Sequence, residues 1–305
     1  MQYLNGKRYY TMSQYCRERF GGRIVKIPLY SGLSCPNRDG SKGVGGCTFC
    51  AQGTEAALAR MPLPEQYHIG CAMCKKWPDA KPVAYFQSFS NTYAPIQQIE
   101  ALLDEALSLP DVAGIRLATR ADCLDRDMVR LLAHVATKTV LEVELGLQTV
   151  HDSTAQAINR GHSFAEFCAG LRLLQQHPIY TCVHLINGLP RETPDMMLES
   201  ARRLAALKPG GVKLHMLHLM SGTPMADAWL QDKFPVLSQQ EYVTIVCAQL
   251  RCFHPGTVIE RLTGDGDRKR LLAPQWTLNK RGVLNAIDGA LAQQNSRQGD
   301  LWEDR

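Results

Sequence analysis

Short apolar runs of strand length alternate with amphipathic stretches from Arg23 to Phe253, and no other feature restricts the fold as much. Strand-like runs are Arg23–Tyr30, Pro82–Phe89, Gly114–Thr119, Thr139–Gly146, Tyr180–Asn187 and Gly211–Leu219, with Thr257–Leu262 as a weaker seventh. Between them lie helix-like stretches at Pro95–Leu109, Asp125–Ala136, Phe164–Gln176, Pro194–Leu207 and Ser238–Phe253. In the first of these, Ile96, Ile99, Leu102, Leu103 and Ala106 recur at intervals of three and four, which marks one buried helix face. Repeated strand–helix units of this length favour a parallel sheet with helices outside it. The fold class expected is α/β, a partial (β/α)6-type parallel barrel, with an open doubly wound sheet as the alternative. In either, catalytic groups belong at the C-terminal ends of the strands. The expected organisation is a basic and aromatic segment over residues 1–22, a barrel core over 23–255, and a small C-terminal extension over 256–305 packed on the core.

No run approaches the eighteen or so apolar residues of a membrane span, and Met1–Lys7 has no apolar region behind a charged start. A cytoplasmic protein without a membrane partner is therefore expected. Eleven cysteines are scattered through 305 residues, an odd number that does not read as a disulfide framework. Closely spaced cysteines then point to metal.

One such group, of three cysteines, follows the first strand. Cys35, Cys47 and Cys50 form a C-x11-C-x2-C pattern in a loop that carries five glycines from Gly32 to Gly46. Thiolates that converge on a cluster must come from loops, and glycines let the backbone approach and offer amides to sulfur. Three cysteines rather than four would leave one iron open to a ligand, as catalytic zinc sites keep one position open. Spacing alone leaves an iron–sulfur cluster and a zinc knuckle both standing, the latter with a nearby His or Cys71 and Cys74 as further ligands. The pair Cys71–Cys74, beside Lys75 and Lys76, is otherwise a weak signal.

The stretch Gly32–Cys50, ending in Cys47-Thr48-Phe49-Cys50, resembles the radical S-adenosylmethionine (radical SAM) superfamily, and in particular its YhcC-like bacterial branch, related to the catalytic subunit of Elongator. The branch shares the long first gap. Further similar stretches run in order: Ala84–Pro95, Glu144–Thr149, Ile158–His162, His184–Pro190, Val212–His215 and Ala273–Lys280. The resemblance implies a [4Fe–4S] cluster on Cys35, Cys47 and Cys50, whose open iron is chelated by S-adenosylmethionine, and a reductant such as flavodoxin or ferredoxin. Reductive cleavage of that sulfonium would yield a 5′-deoxyadenosyl radical. The protein's part is positioning and exclusion of water.

By the same resemblance Phe49 packs near the adenine, Ser90, Asn91 and Thr92 form the loop that receives the amino group, and Gln148 meets the ribose hydroxyls. Arg160 would pair with the methionyl carboxylate, a task that suits a forked cation. His184 takes a strand position where relatives carry a ribose-binding polar group. His215 and His218 lie three apart on a strand and so face opposite sides; His215 is the pocket candidate. Relatives carry Thr-Arg-Pro-Asp where this chain has Thr119-Arg120-Ala121-Asp122, which puts the rigidity of that loop in question.

The net charge of +5 is mild. It is concentrated at Lys7, Arg8, Arg17, Arg19, Arg23 and Lys26, among Tyr3, Tyr9, Tyr10, Tyr15 and Phe20, and again from Arg261 to Arg281. Basic and aromatic residues together could bind phosphates and stack bases. With the resemblance, the expected substrate is tRNA, modified on a wobble uridine side chain. Radical chemistry on a small metabolite, and a non-catalytic zinc-stabilised RNA-binding protein, are the alternatives.

Overall fold

A computed structural model describes residues 2–51, 58, 60–74 and 76–303. Seven parallel strands form one sheet in the order β1 (Ile24–Leu29), β2 (Lys81–Phe86), β3 (Gly114–Thr119), β4 (Val140–Gln148), β5 (Tyr180–Asn187), β6 (Gly211–Met216) and β8 (Val258–Arg261). A short antiparallel pair, β7 (Leu219–Met220) with β9 (Leu271–Ala273), stands apart from it. The sheet therefore has seven strands rather than six. It does not end at residue 255: β8, inside the expected C-terminal extension, pairs with β6.

Helices cover the outer face. The five helix-like stretches of the sequence are α3 (Ile96–Leu107), α4 (Arg126–Lys138), α6 (Phe164–Gln175), α7 (Pro194–Ala206) and α9 (Gln239–Cys252), and α10 (Lys280–Gln293) follows in the C-terminal segment. Their starts follow local chemistry. Ser163 with Glu166, and Ser238 with Glu241, close reciprocal capping boxes, and the Thr193 side chain caps α7 ahead of Pro194. In α4 the residues Met128, Val129, Leu132 and Val135 form one buried stripe against the sheet. Helices α1 (Met12–Phe20), α2 (Leu63–Met73), α5 (Asp152–Ala157) and α8 (Pro224–Gln231) carry weaker patterns and were not foreseen.

The inner face shows that the sheet is curled. Arg116 on β3 meets Glu142 on β4 at 2.7 Å and Glu144 at 3.2 Å, and it also meets Glu260 on β8 at 2.5 Å. Strands β3 and β8 are far apart in sheet order, so such contacts require a partial barrel. Lys26 on β1 lies 3.5 Å from Glu144 and 3.6 Å from Glu260, and Lys213 on β6 lies 2.6 Å from Glu144. Three carboxylates thus face three cations inside the barrel.

The N-terminal segment closes the barrel at the N-terminal ends of the strands. Thr11 bridges to Ile259, and the Tyr15 hydroxyl donates to Glu142 at 2.7 Å. Tyr9, Tyr10, Tyr15 and Phe20 are buried, so they are core residues and not a stacking surface for bases. Their regular spacing among basic residues reads the same in both cases, because Arg17 and Arg19 simply occupy the exposed side of α1.

Replacing Arg116 with Met would leave three buried carboxylates facing two ammonium groups. Breaking a buried ion pair from one side costs about 3–5 kcal/mol. Urea unfolding should show a loss of that size for Arg116→Met; a loss below about 1 kcal/mol would contradict the role given to it.

Candidate functional site

A cleft of about 380 Å³ opens at the C-terminal ends of the strands, where Cys35, Cys47, Phe49 and Cys50 form one wall. That volume is within the range of small-molecule sites. The cysteine loop that follows β1 is folded tightly on itself. The Pro36 carbonyl accepts from the amides of Lys42 at 2.8 Å and Gly43 at 3.1 Å, and the Asn37 carbonyl accepts from Gly46 at 2.7 Å. Thr48 then docks on the turn after α5 through the Ile158 carbonyl at 3.0 Å.

Burial, reinforced by the neighbouring Cys50 and Cys35, pushes the Cys47 thiol up to about 11, and burial likewise raises Cys50. Such thiols stay protonated near neutral pH unless a cationic centre, such as a bound metal, compensates. Among the described residues no three His, Cys, Asp or Glu side chains are grouped to hold a single metal ion. A multi-iron cluster spreads its ligating sulfurs more widely than one ion does. Arg38, whose guanidinium lies 4.8 Å over the Phe89 ring, flanks Cys50 in the same wall.

The floor of the cleft is the upper end of the ion cluster. Glu144 Oε2 accepts from Lys213 at 2.6 Å and from the Tyr85 hydroxyl at 2.8 Å, and His184 Nε2 is 2.9 Å away. Burial alone would raise the Glu144 carboxyl, but Lys213 and Arg116 outweigh it and hold it well below the usual carboxylate range. His184 and His215 pack 5.4 Å apart, ring to ring. Burial lowers both pKa values, helped by Lys213 at His184 and by His184 and Arg261 at His215, so both rings are neutral near pH 7.

The expected site residues divide into two groups. Phe49, Gln148, His184 and His215 line the cleft with the three cysteines. His218 is not among the residues lining it; it packs against Gly264 and Gly266. The side chains of Ser90, Asn91 and Thr92 do not line it either. They are buried and spent on Thr119, on the carbonyls of Phe86 and Ala118, and on that of Cys123. Gln87 and Phe89 occupy that edge instead, with Phe89 in the left-handed region at φ 64°. Arg160 is also turned away. Its guanidinium donates to the carbonyls of Leu147, Thr149 and His162 at 2.5–3.0 Å, which ties the end of β4 to the turn before α6. Arg120 faces the cleft in its place, forked onto Asp122 at 2.8 and 2.9 Å. That fork, and the close seating of Ala121 on Gly170, stiffen the loop that lacks the family's proline; a Cβ on Gly170 would lie 2.2 Å from the Ala121 carbonyl. Cys74, at the end of α2, faces a separate cavity with Cys16 and Trp77.

Glu144, Lys213, Tyr85, Arg38, Arg120 and Arg261 were missed as site residues. A signal for some of them was present. Glu142 and Glu144, and likewise Lys213 and His215, stand two apart in otherwise apolar strands. A strand buried on both faces hides a charge only by turning it into a barrel.

A parallel half-barrel with a cysteine-walled cleft at its C-terminal rim defines a class, and the family comparisons agree with it. A model of the radical SAM superfamily matches residues 35–204, and one of the radical SAM C-terminal domain matches residues 209–293. The chain belongs to the radical SAM superfamily. Within it, the chain is 44% identical over 301 residues to YtqA of Bacillus subtilis (strain 168), which spans 97% of this chain and 94% of that protein. It is 33% identical over 290 residues to YhcC of Escherichia coli (strain K12), with 93% of each covered. Human Elongator complex protein 3 is 26% identical over 170 residues, 54% of this chain and 30% of that protein. The solved archaeal Elp3 of Methanocaldococcus infernus superposes with a TM-score of 0.68 over 90% of this chain and 64% of that one, at 13% identity, a likeness of fold. Membership of the superfamily implies a [4Fe–4S] cluster and S-adenosylmethionine, and a wall of three half-buried thiols fits the first of these.

The buried imidazoles make stability depend on pH. A folded-state pKa below the ordinary 6.5 means the unfolded chain binds the proton first, so this stability is present above that value and is lost as pH falls. Melting temperature should therefore drop between about pH 7 and pH 5, and His215→Gln should flatten the drop. An equal slope in the variant would mean that His215 takes its proton in the folded protein.

Proposed function

We propose that Cys35, Cys47 and Cys50 hold a [4Fe–4S] cluster, and that this radical SAM enzyme modifies the wobble uridine side chain of tRNA. The observation that carries the cluster assignment is that the three cysteines share one wall of a cleft floored by two packed histidines and a clamped carboxylate. With both groups bound, the cleft would be supplied with hydrogen-abstracting radical chemistry. Phe49 offers an aromatic face beside the cysteines, and Gln148 offers amide hydrogen bonds at the end of β4. Arg38 is a cation on the wall for a bound anion. Lys213 and Tyr85 hold Glu144, so that the floor keeps its shape while a substrate enters.

Support for a nucleic-acid substrate comes from charge at the rim. Arg261 lines the cleft and pairs with Asp265 at 3.3 Å, and Lys280 pairs with the same carboxylate. Arg268, Lys269 and Arg281 are exposed in the segments that follow. The basic residues of the N-terminal segment lie at the opposite end of the barrel and take no part in this reading. The choice of tRNA itself rests on the resemblance to the Elongator catalytic subunit, a likeness that extends over 54% of this chain.

Anaerobically reconstituted protein should carry about four irons per chain, and Cys47→Ala should lose both the iron and reductive cleavage of S-adenosylmethionine. Full iron in the variant would overturn the ligand assignment. The substrate is tested by nucleoside analysis of tRNA from cells with and without the gene: a wobble uridine derivative should change in abundance, and an identical profile would sink the tRNA reading. The double variant Arg268→Glu, Lys269→Glu should weaken tRNA binding about tenfold or more at low salt and reduce its salt dependence.

A further inference from the structure

Asn37 is wholly buried in the cysteine loop, and its side chain connects two parts of the site. Its amide nitrogen Nδ2 donates to the Asn159 carbonyl and approaches Cys47 Sγ at 3.7 Å. Asn159 answers with its own amide, which donates to the Gly46 carbonyl at 2.8 Å and the Val44 carbonyl at 3.3 Å. The two asparagines thus clamp the long cysteine loop onto the turn after α5. The orientation of the Asn37 amide is determined by its partners. Turned over, its oxygen would face both a carbonyl and a sulfur, two acceptors with no hydrogen between them. As placed, Oδ1 has no hydrogen-bond partner among the described residues and sits between two glycines. A Cβ on Gly43 or on Gly161 would lie 2.3 or 2.5 Å from it. A buried acceptor left without a partner costs stability, so the arrangement is retained for what the nitrogen does.

We propose that Asn37 is a positioning residue that tunes the electron affinity of the cluster through its N–H···S contact with Cys47. This rests on the cluster assignment given above. An N–H directed at a ligating sulfur stabilises the extra negative charge of the reduced cluster, and the potential of such clusters depends on hydrogen bonds to sulfur and on exclusion of solvent. Asn37 itself is wholly shielded from solvent, so its N–H is held to the two acceptors it meets inside the protein. The same side chain registers Cys47 against Asn159, so the sulfur is tuned and placed by one group. The eleven residues between Cys35 and Cys47 give the loop the length to fold back and bury Asn37.

The test uses full-length protein, reconstituted anaerobically and examined without S-adenosylmethionine. Pulsed EPR of the reduced cluster, with asparagine labelled by nitrogen-15, should show a weak nitrogen coupling that Asn37→Ala removes. The midpoint potential should move to more negative values in Asn37→Ala and further in Asn37→Asp, where a carboxylate replaces the donor. Asn159→Gly separates the clamp from the contact. Its φ of 52° accepts glycine and its carbonyl remains for Asn37, so its potential should shift less than that of Asn37→Ala; an equal shift in the two would assign the effect to the clamp and overturn the proposal. Iron-loaded wild-type protein without an asparagine coupling overturns the proposal, even if the variants fail to assemble a cluster. Equal potentials in Asn37→Ala and wild type overturn it as well. Wild-type protein that takes up no iron overturns the cluster assignment itself, a result distinct from either.

Discussion

The buried guanidinium of Arg116 is the contact on which the rest of the barrel depends. It bonds carboxylates from β4 and β8, strands that only a curled sheet can bring together. Burial would drive Glu144 and Glu260 toward neutrality if each stood alone. In company with Arg116, Lys26 and Lys213, the carboxyls of Glu144 and Glu260 are held below the usual range. Apolar residues would fill the same space, often with equal or better stability. What an ion cluster adds is direction: each carboxylate accepts from particular donors, so the seven strands close at one curvature.

That curvature delivers the floor of the cleft. Glu144 belongs both to the ion cluster and to the cleft, and Lys213, Tyr85 and His184 gather on it. The cysteine wall is positioned separately, by a loop folded on its own carbonyls and docked on the turn that Arg160 holds. Floor and wall meet because β4 ends at that turn. The bonds of Arg160 to Leu147 and Thr149 therefore connect the barrel to the cysteine loop, which is a structural role rather than a ligand-facing one.

Much of the fold was legible in the order of residues. Strand and helix spans came out within a few residues, since a parallel strand needs a short apolar run and a covering helix needs its stripe. Gly114–Thr119 and Tyr180–Asn187 match to the residue. The aromatic residues of the first twenty misled, because Tyr9, Tyr10 and Tyr15 next to basic residues look alike whether they stack on bases or fill a core. Ser90, Asn91 and Thr92 misled for a related reason: polar side chains at a strand end serve a ligand or the loop itself, and here the loop uses them.

By itself, the sequence determined the class of the protein: local periodicity specified alternating strands and helices, and the cysteine spacing with its neighbouring stretches specified the radical SAM superfamily. These are properties of segments, and segments are continuous in the chain. Which charges line the cleft was decided only in three dimensions. Glu144, Lys213, Arg261 and Arg120 come from four different strands or strand ends and acquire a common role only where the curled sheet brings them together. Arg160 shows the same rule in reverse: its position along the chain fits a ligand-facing cation, and packing turned it to the carbonyls behind.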